Sequence, residues 1–283
     1  MTEEKKEIKE LYRTVRLSEL EAKLPVFPAS INGRNFEKNE FSFCEWTMET
    51  EEKLSEIQNK SKNNGEFVNQ MLCLLLDSFC GISFVDLPEN EKTIIINQLE
   101  FPNVMYMYIY LRYEELGSEI KMDIECPAQN CKKMMKDFTA DLGSLEIRVK
   151  DKEHSRKGTY ELKKPILIGD KTITAFKYDV PKWDYLEKAT DTTLANNGMF
   201  KKLMLEASVV GIQDGGKDSE GYNDVVNLVK KMKKFDIEKL IALIVENNSG
   251  ALMSLEGKCE HCKTEFRKQL NWTFDYFFDS SSL

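Results

Sequence analysis

Two short segments bring thiols into register for joint chemistry. Cys126-Pro-Ala-Gln-Asn-Cys131 holds four residues between its cysteines, and Cys259-Glu-His-Cys262 holds two. Either spacing lets a tight turn aim two thiolates at one point, and two such knuckles supply the four soft ligands of a closed tetrahedral zinc site. A strand leads into each knuckle and an aromatic residue follows it, Phe138 in one and Phe266 in the other. Zinc ribbons are built this way. Four protein thiolates leave no coordination position for water, so the expected role of the zinc is structural. More than 120 residues separate the knuckles, far more than a compact ribbon uses. Spacing alone therefore leaves open a shared zinc, unmetallated thiols or a disulfide. His261, inside the second knuckle, is an alternative ligand, but the four cysteines suffice without it.

Little else in the sequence offers chemistry. The only histidines are His154, in a charged stretch, and His261, so neither a histidine-based triad nor a carboxylate-histidine metal site can be assembled. No Gly-x-Ser-x-Gly nucleophile elbow occurs. Gly211 to Asp218 approaches a Walker A spacing, but Asp218 stands where Ser or Thr should bind magnesium, and a carboxylate there repels phosphate. An exposed loop is the expectation for that stretch. Acidic pairs such as Glu114-Glu115, and Asp275 with Asp279, are expected to solvate the surface. Cys44, Cys73 and Cys80 sit in or beside apolar runs, where a free cysteine packs as a small hydrophobe. No catalytic residue and no small-molecule substrate are expected, so the protein is not read as an enzyme.

The charged fraction is high, 31%, but mixed in sign, and 48 acidic residues outweigh 40 basic ones. Nucleic acid is a poor default partner for such a chain, because phosphate binding is driven by clustered positive charge. Lys230, Lys231, Lys233 and Lys234 form a local basic run, best read as the solvated face of a helix. No stretch approaches the roughly 20 apolar residues of a membrane-spanning helix. Met1 to Glu10 mixes Lys and Glu without an apolar core, which fits neither a secretory signal nor a transit peptide. A soluble chain in a reducing compartment is expected, and that shifts paired cysteines from disulfide toward metal.

Several elements must position the thiols. Residues 1–40 read as an N-terminal arm and linker: Ile8, Leu11, Tyr12, Val15 and Leu20 share one helical face, and Pro25, Pro28 and Asn32-Gly33 follow as a strap. Residues 41–117 read as a helical unit. Phe41 and Phe43 mark a short strand, and Thr47 caps an acidic helix running to about Asn59. Phe67, Met71, Leu74, Leu75 and Phe79 fall at helical spacing up to Gly81, and Val104 to Leu111 is apolar enough for a buried helix. Residues 118–283 read as an α+β domain bracketed by zinc. Glu119 to Glu125 alternates charged and apolar residues like a strand with one wet face and runs into Cys126. Further strands are expected over 137–142 and around Gly169-Asp170. A helical insert is expected over about 181–248, its last helix capped by Asp236 and ended by Gly250, before strands flanking Cys259 and Cys262. The fold class is thus α+β: an arm and a helical unit, then a small antiparallel zinc-ribbon-like sheet with a helical insert.

The ordered set of these features resembles the tail baseplate hub assembly proteins of T-even-type contractile-tailed phages. Leu24-Pro25 before a short linker, Phe41 to Leu54 as strand and capped helix, and Leu111-Arg112-Tyr113 with Gly117 ahead of a Cys-Pro knuckle carry the first half of the likeness. Gly169, the insert helices, the Cys-x-x-Cys knuckle and Phe277-Phe278 carry the second. The resemblance implies a viral structural or assembly protein of a tail baseplate, hub or wedge. It would be made in the host cytoplasm, remain there or end in the virion tail, and act in a hetero-oligomeric assembly with other tail subunits. It also adds weight to one zinc shared by Cys126, Cys131, Cys259 and Cys262. A zinc-ribbon nucleic-acid-binding protein is the alternative, with Lys132, Lys133, Lys136, Lys258, Lys263, Arg267 and Lys268 as its basic face.

Overall fold

The computed structural model describes residues 12–150, 157–187, 189, 197–215, 217–220, 225–247, 249–252 and 254–269. Strand β1 (Arg13–Arg16) leads into one helical turn, Leu17–Leu20, whose leucines are buried. The amphipathic helix expected over the first 20 residues is thus a strand and a turn where it is described, and Ile8 and Leu11 lie outside the described residues. The proline strap is packed against the protein: Leu24, Val26, Ile31 and Phe36 are all buried. Its backbone is tied down at two points. Val26 N–H donates to Asn103 Oδ1 at 3.0 Å, and Lys150 N–H donates to the Pro25 carbonyl at 2.8 Å.

β2 (Phe41–Phe43) precedes α1 (Met48–Lys60), which starts as expected, with the Thr47 hydroxyl accepting from Thr50 N–H and Glu49 and Glu51 in the first turn. α2 (Asn64–Leu75) is capped by Asn63. Phe79, expected on that helix, belongs instead to β3 (Leu76–Phe79), which turns through Cys80 and Gly81 into β4 (Ile82–Ser83). Pairing with β2 decides the matter, because Phe79 sits opposite Phe41 in the ladder. α3 (Glu89–Gln98) and α4 (Phe101–Leu116) complete this region. α4 is the expected buried helix, with Val104 through Ile109 all inaccessible. At its C-terminal end buried Arg112 donates from Nη1 to the Gly117 carbonyl and from Nη2 to the Glu119 carbonyl, at 2.6 and 2.8 Å. That fork satisfies terminal carbonyls and fixes where the next strand starts.

The remaining strands are β5 (Glu119–Glu125), β6 (Met134–Asp141), β7 (Glu146–Val149), β8 (Gly158–Ile168), β9 (Lys171–Tyr178), β10 (Val209–Asp214), β11 (Lys217–Glu220), β12 (Gly250–Ala251), β13 (Ser254–Lys258) and β14 (Glu265–Gln269). Every ladder between them is antiparallel, which with the helices gives an α+β fold. α5 (Asn197–Ser208), α6 (Val225–Lys231) and α7 (Lys234–Asn247) lie between β9 and β12. The stretch that approached a Walker A spacing is a β10–β11 hairpin with Asp214 opposite Lys217. Among the described residues, strand β11 stands where a phosphate loop needs a helix.

Two hydrophobic cores result. The first draws on Leu17, Leu24, Phe79, the inner face of α4, Ile120, Leu145 and Ile147, and reaches Cys259 and Phe266. The second is built from Ile173, Phe176, Leu205, Val209, Leu228, Leu240 and Ile244. Its sheet, in the order β11-β10-β9-β8, takes in strands that precede the helical excursion expected over 181–248. Trp183, Tyr185 and Leu186 return to the first core after β9, and β12 returns to it again, with Gly250 pairing with Arg148. Gly250, expected to end a helix, is a strand residue with φ +94, and a Cβ there would come within 2.6 Å of Pro102 Cβ. Within the first core Trp183 acts as a rivet: it is fully buried, stacks on Phe101 at 5.7 Å and donates from Nε1 to the Gly65 carbonyl.

Asp236 has a different task from the expected cap. It lies inside the first turn of α7, and its buried carboxylate accepts from Tyr160 Oη at 2.8 Å and Lys163 N–H at 3.1 Å. β8 bulges between Glu161 and Ile166, and this carboxylate satisfies an amide that the bulge leaves without a ladder partner.

Candidate metal centre

β5 delivers the first thiol. Ile120, Met122 and Ile124 are buried while their neighbours are exposed, so the alternation that predicted this strand also carries Cys126 inward, to 1% exposure. Beyond Glu125 the chain turns back on itself. Cys126 N–H donates to the Lys133 carbonyl at 3.0 Å, and Cys131 N–H donates to the Ala128 carbonyl at 3.0 Å. The second knuckle repeats the device between β13 and β14, with Cys259 N–H donating to the Thr264 carbonyl at 2.9 Å. In both, the residue after the second cysteine takes a positive φ: 45° at Lys132 and 61° at Lys263. The first cysteine's amide also reaches the same place in each turn, the carbonyl two residues past the second cysteine. The knuckles are therefore local copies of one another despite their different lengths.

The structure brings all four cysteines together, with their sulfurs within 4.8 Å of one another. Two of the separations run between the hairpins: Cys126 Sγ to Cys262 Sγ is 3.6 Å, and Cys131 Sγ to Cys259 Sγ is 3.9 Å. A tetrahedral ion with metal–sulfur bonds of about 2.3 Å places its ligands about 3.8 Å apart, so the donor set fits such a centre in both chemistry and span. Cys126 and Cys259 are buried, Cys131 is partly covered and Cys262 is exposed. His261 is exposed on the second turn and is not among the clustered ligands. His154 lies outside the described residues.

The surroundings pull the thiols apart in acidity. Burial pushes Cys126 up to about 12, whereas hydrogen bonding with the side chain and backbone of Thr264, whose Oγ1 lies 3.2 Å from Sγ, draws Cys262 down to about 6. Thiolate is the ligating form, so Thr264 favours ligation at the most exposed of the four. Cys44, Cys73 and Cys80 are not among the clustered ligands, and Cys73 and Cys80 lie in the first core as their apolar neighbours predicted.

Phe138 and Phe266 form the packing beneath the cluster, with ring centroids 5.6 Å apart. Gly257, opposite Phe266 in the β13–β14 ladder, makes room for both rings. Gly257 and Thr264 were not evident from the spacing of the cysteines. The readable signal for Gly257 is a glycine inside a strand two residues before a cysteine, a position that marks close approach of other groups.

Among the described residues no helix is long and apolar enough to cross a membrane. No family model, curated protein or solved structure matches the chain.

Proposed function

We propose that Cys126, Cys131, Cys259 and Cys262 hold one structural zinc ion, and that the protein is a non-enzymatic assembly protein of a contractile phage tail baseplate. It works by scaffolding contacts with other tail subunits. One observation carries the reading: two thiol pairs from hairpins 128 positions apart meet with sulfur spacings that suit a tetrahedral ion. Four thiolates close the coordination shell, so the zinc supplies cross-linking rather than Lewis-acid chemistry. It would join the β5–β6 hairpin to the β13–β14 hairpin in the manner of a zinc ribbon split by an insertion. The baseplate assignment rests on the ordered motifs from Leu24-Pro25 to the Cys-x-x-Cys knuckle.

The nucleic-acid alternative has less support. Lys132, Lys133, Lys136, Lys258, Lys263 and Lys268 are exposed, but Glu125, Asp137, Glu256, Glu260 and Glu265 are exposed among them, and Arg267 is paired with Glu256 at 2.6 Å. Mixed charge of this kind weakens the field that phosphate recognition needs.

Elemental analysis of purified protein tests the metal, with about one zinc per chain expected and a metal-free, fully folded chain sinking it. Size-exclusion chromatography with baseplate hub and wedge subunits tests the assembly role. Failure to co-migrate with any of them would remove that half of the proposal and leave the zinc standing.

A further inference from the structure

We infer that Cys262 and Cys126 form an oxidation site for hydroperoxides, at which the metal is exchanged for a covalent bond joining the two hairpins. The inference rests on the zinc reading and deepens it. Accessibility selects the first sulfur: Cys262 is exposed, whereas Cys126 and Cys259 are buried and Cys131 is partly covered. A small hydroperoxide therefore meets Cys262 first. Geometry offers a partner across the junction, because Cys126 Sγ stands 3.6 Å away on the other hairpin. A disulfide needs the sulfurs at about 2.05 Å, a closure of roughly 1.5 Å between side chains that already face each other.

The steps balance. The Cys262 thiolate attacks one peroxide oxygen, an S–O bond forms, the O–O bond breaks and hydroxide leaves; sulfur is oxidised by two electrons and the peroxide is reduced. The Cys126 thiolate then attacks the sulfenic sulfur, an S–S bond forms, the S–O bond breaks and a second hydroxide leaves. With Cys126 and Cys262 joined, Cys131 and Cys259 alone would be left to hold the ion, which would be released. Cys131 and Cys259, 3.9 Å apart and also on different hairpins, remain as thiols and can repeat the reaction with a second peroxide. In an isolated Cys-x-x-Cys knuckle the nearest partner is the neighbour within the same turn, and oxidation would unfasten the two hairpins. Here both of these close pairs cross between hairpins, so oxidation along them preserves the link after the metal has gone.

The test uses the full, zinc-loaded chain treated with hydrogen peroxide. Zinc release is followed with a chromogenic chelator, and disulfides are mapped by non-reducing proteolysis and mass spectrometry. About two thiols should disappear per zinc released, and the first linked peptide should join Cys126 to Cys262. A first link within either knuckle, Cys259 to Cys262 or Cys126 to Cys131, overturns the inference. So does Cys262 advancing to sulfinic acid without a partner, or a chain whose thiols survive the treatment. Zinc content measured beforehand separates the two claims. A zinc-free chain that still forms the Cys126–Cys262 link overturns the metal reading alone, and a zinc-loaded chain that links within a knuckle overturns the pairing alone.

Discussion

Gly257 shows how closely single atoms are fitted around the cysteine cluster. A Cβ at this position would lie 2.6 Å from Phe266 Cζ and 2.8 Å from Phe138 Cζ, so both rings would have to shift. Those rings pack the two hairpins against each other, and moving them disturbs the alignment of the knuckles. Gly257→Ala should therefore cost about 1–3 kcal/mol, the range for overpacking a well-filled core, and should weaken zinc retention as well. Denaturant unfolding measures the first effect and competition with a zinc chelator the second; a variant as stable as its parent would show that the rings yield freely. At this scale the sequence was informative about residue type. Paired thiols and the aromatics that follow them are chemical signals that survive without coordinates, and all four cysteines were identified from spacing. Thr264 and Gly257 carried no comparable signal, because their roles exist only once a second hairpin lies against the first.

Individual elements are joined by a few polar contacts, of which the Tyr160–Asp236 bond between β8 and α7 is the clearest. Burial, reinforced by the hydrogen bond to Asp236, pushes the Tyr160 phenol up to about 12 from an ordinary value of 10. A folded-state value raised above the unfolded one means that the contribution is complete below about pH 10 and disappears as the pH rises through about 12. Tyr160→Phe should therefore lose about 1.5 kcal/mol at neutral pH, the low end for a bond to a charged group because the phenol is partly exposed. Thermal melts of parent and variant should converge above pH 10, and a gap that stays constant with pH would rule out this bond as the cause. The elements themselves were readable where a single period governs them. The alternation of Glu119 to Glu125 and the apolar run from Val104 to Leu111 are local facts that fix a wet face or a buried helix. Phe79 was misplaced because helical spacing cannot register that Phe41 lies across from it in another strand, and Asp236 because a cap and a cross-link look alike until Tyr160 is nearby.

Among the described residues the molecule has two cores, and its fastenings between distant stretches include the β7–β12 pairing and the cysteine cluster. The β7–β12 pairing was not legible, since it depends on contacts across roughly a hundred residues that no local pattern encodes; the meeting of the four cysteines was expected, from the two knuckles and the family resemblance together. The cysteine cluster packs with the first core and not with the second, which makes metal removal a selective perturbation. Stripping the protein with a strong chelator at neutral pH should sharply reduce amide exchange protection in β13, β14 and the Cys126–Lys133 turn, while β9, β10 and the second core change little. Hydrogen exchange read by mass spectrometry checks this, and an equal loss everywhere would mean that the metal supports global folding rather than one junction.

The long interval between Cys131 and Cys259 also governs the order of events at the ribosome. A nascent chain that has emerged as far as Cys131 offers a cation only half of its cage, and two sulfurs hold it far more weakly than four. The whole intervening stretch must be translated before the clasp can shut, so until then the inner side of the β5–β6 hairpin stays accessible to chaperones or to a neighbouring nascent chain.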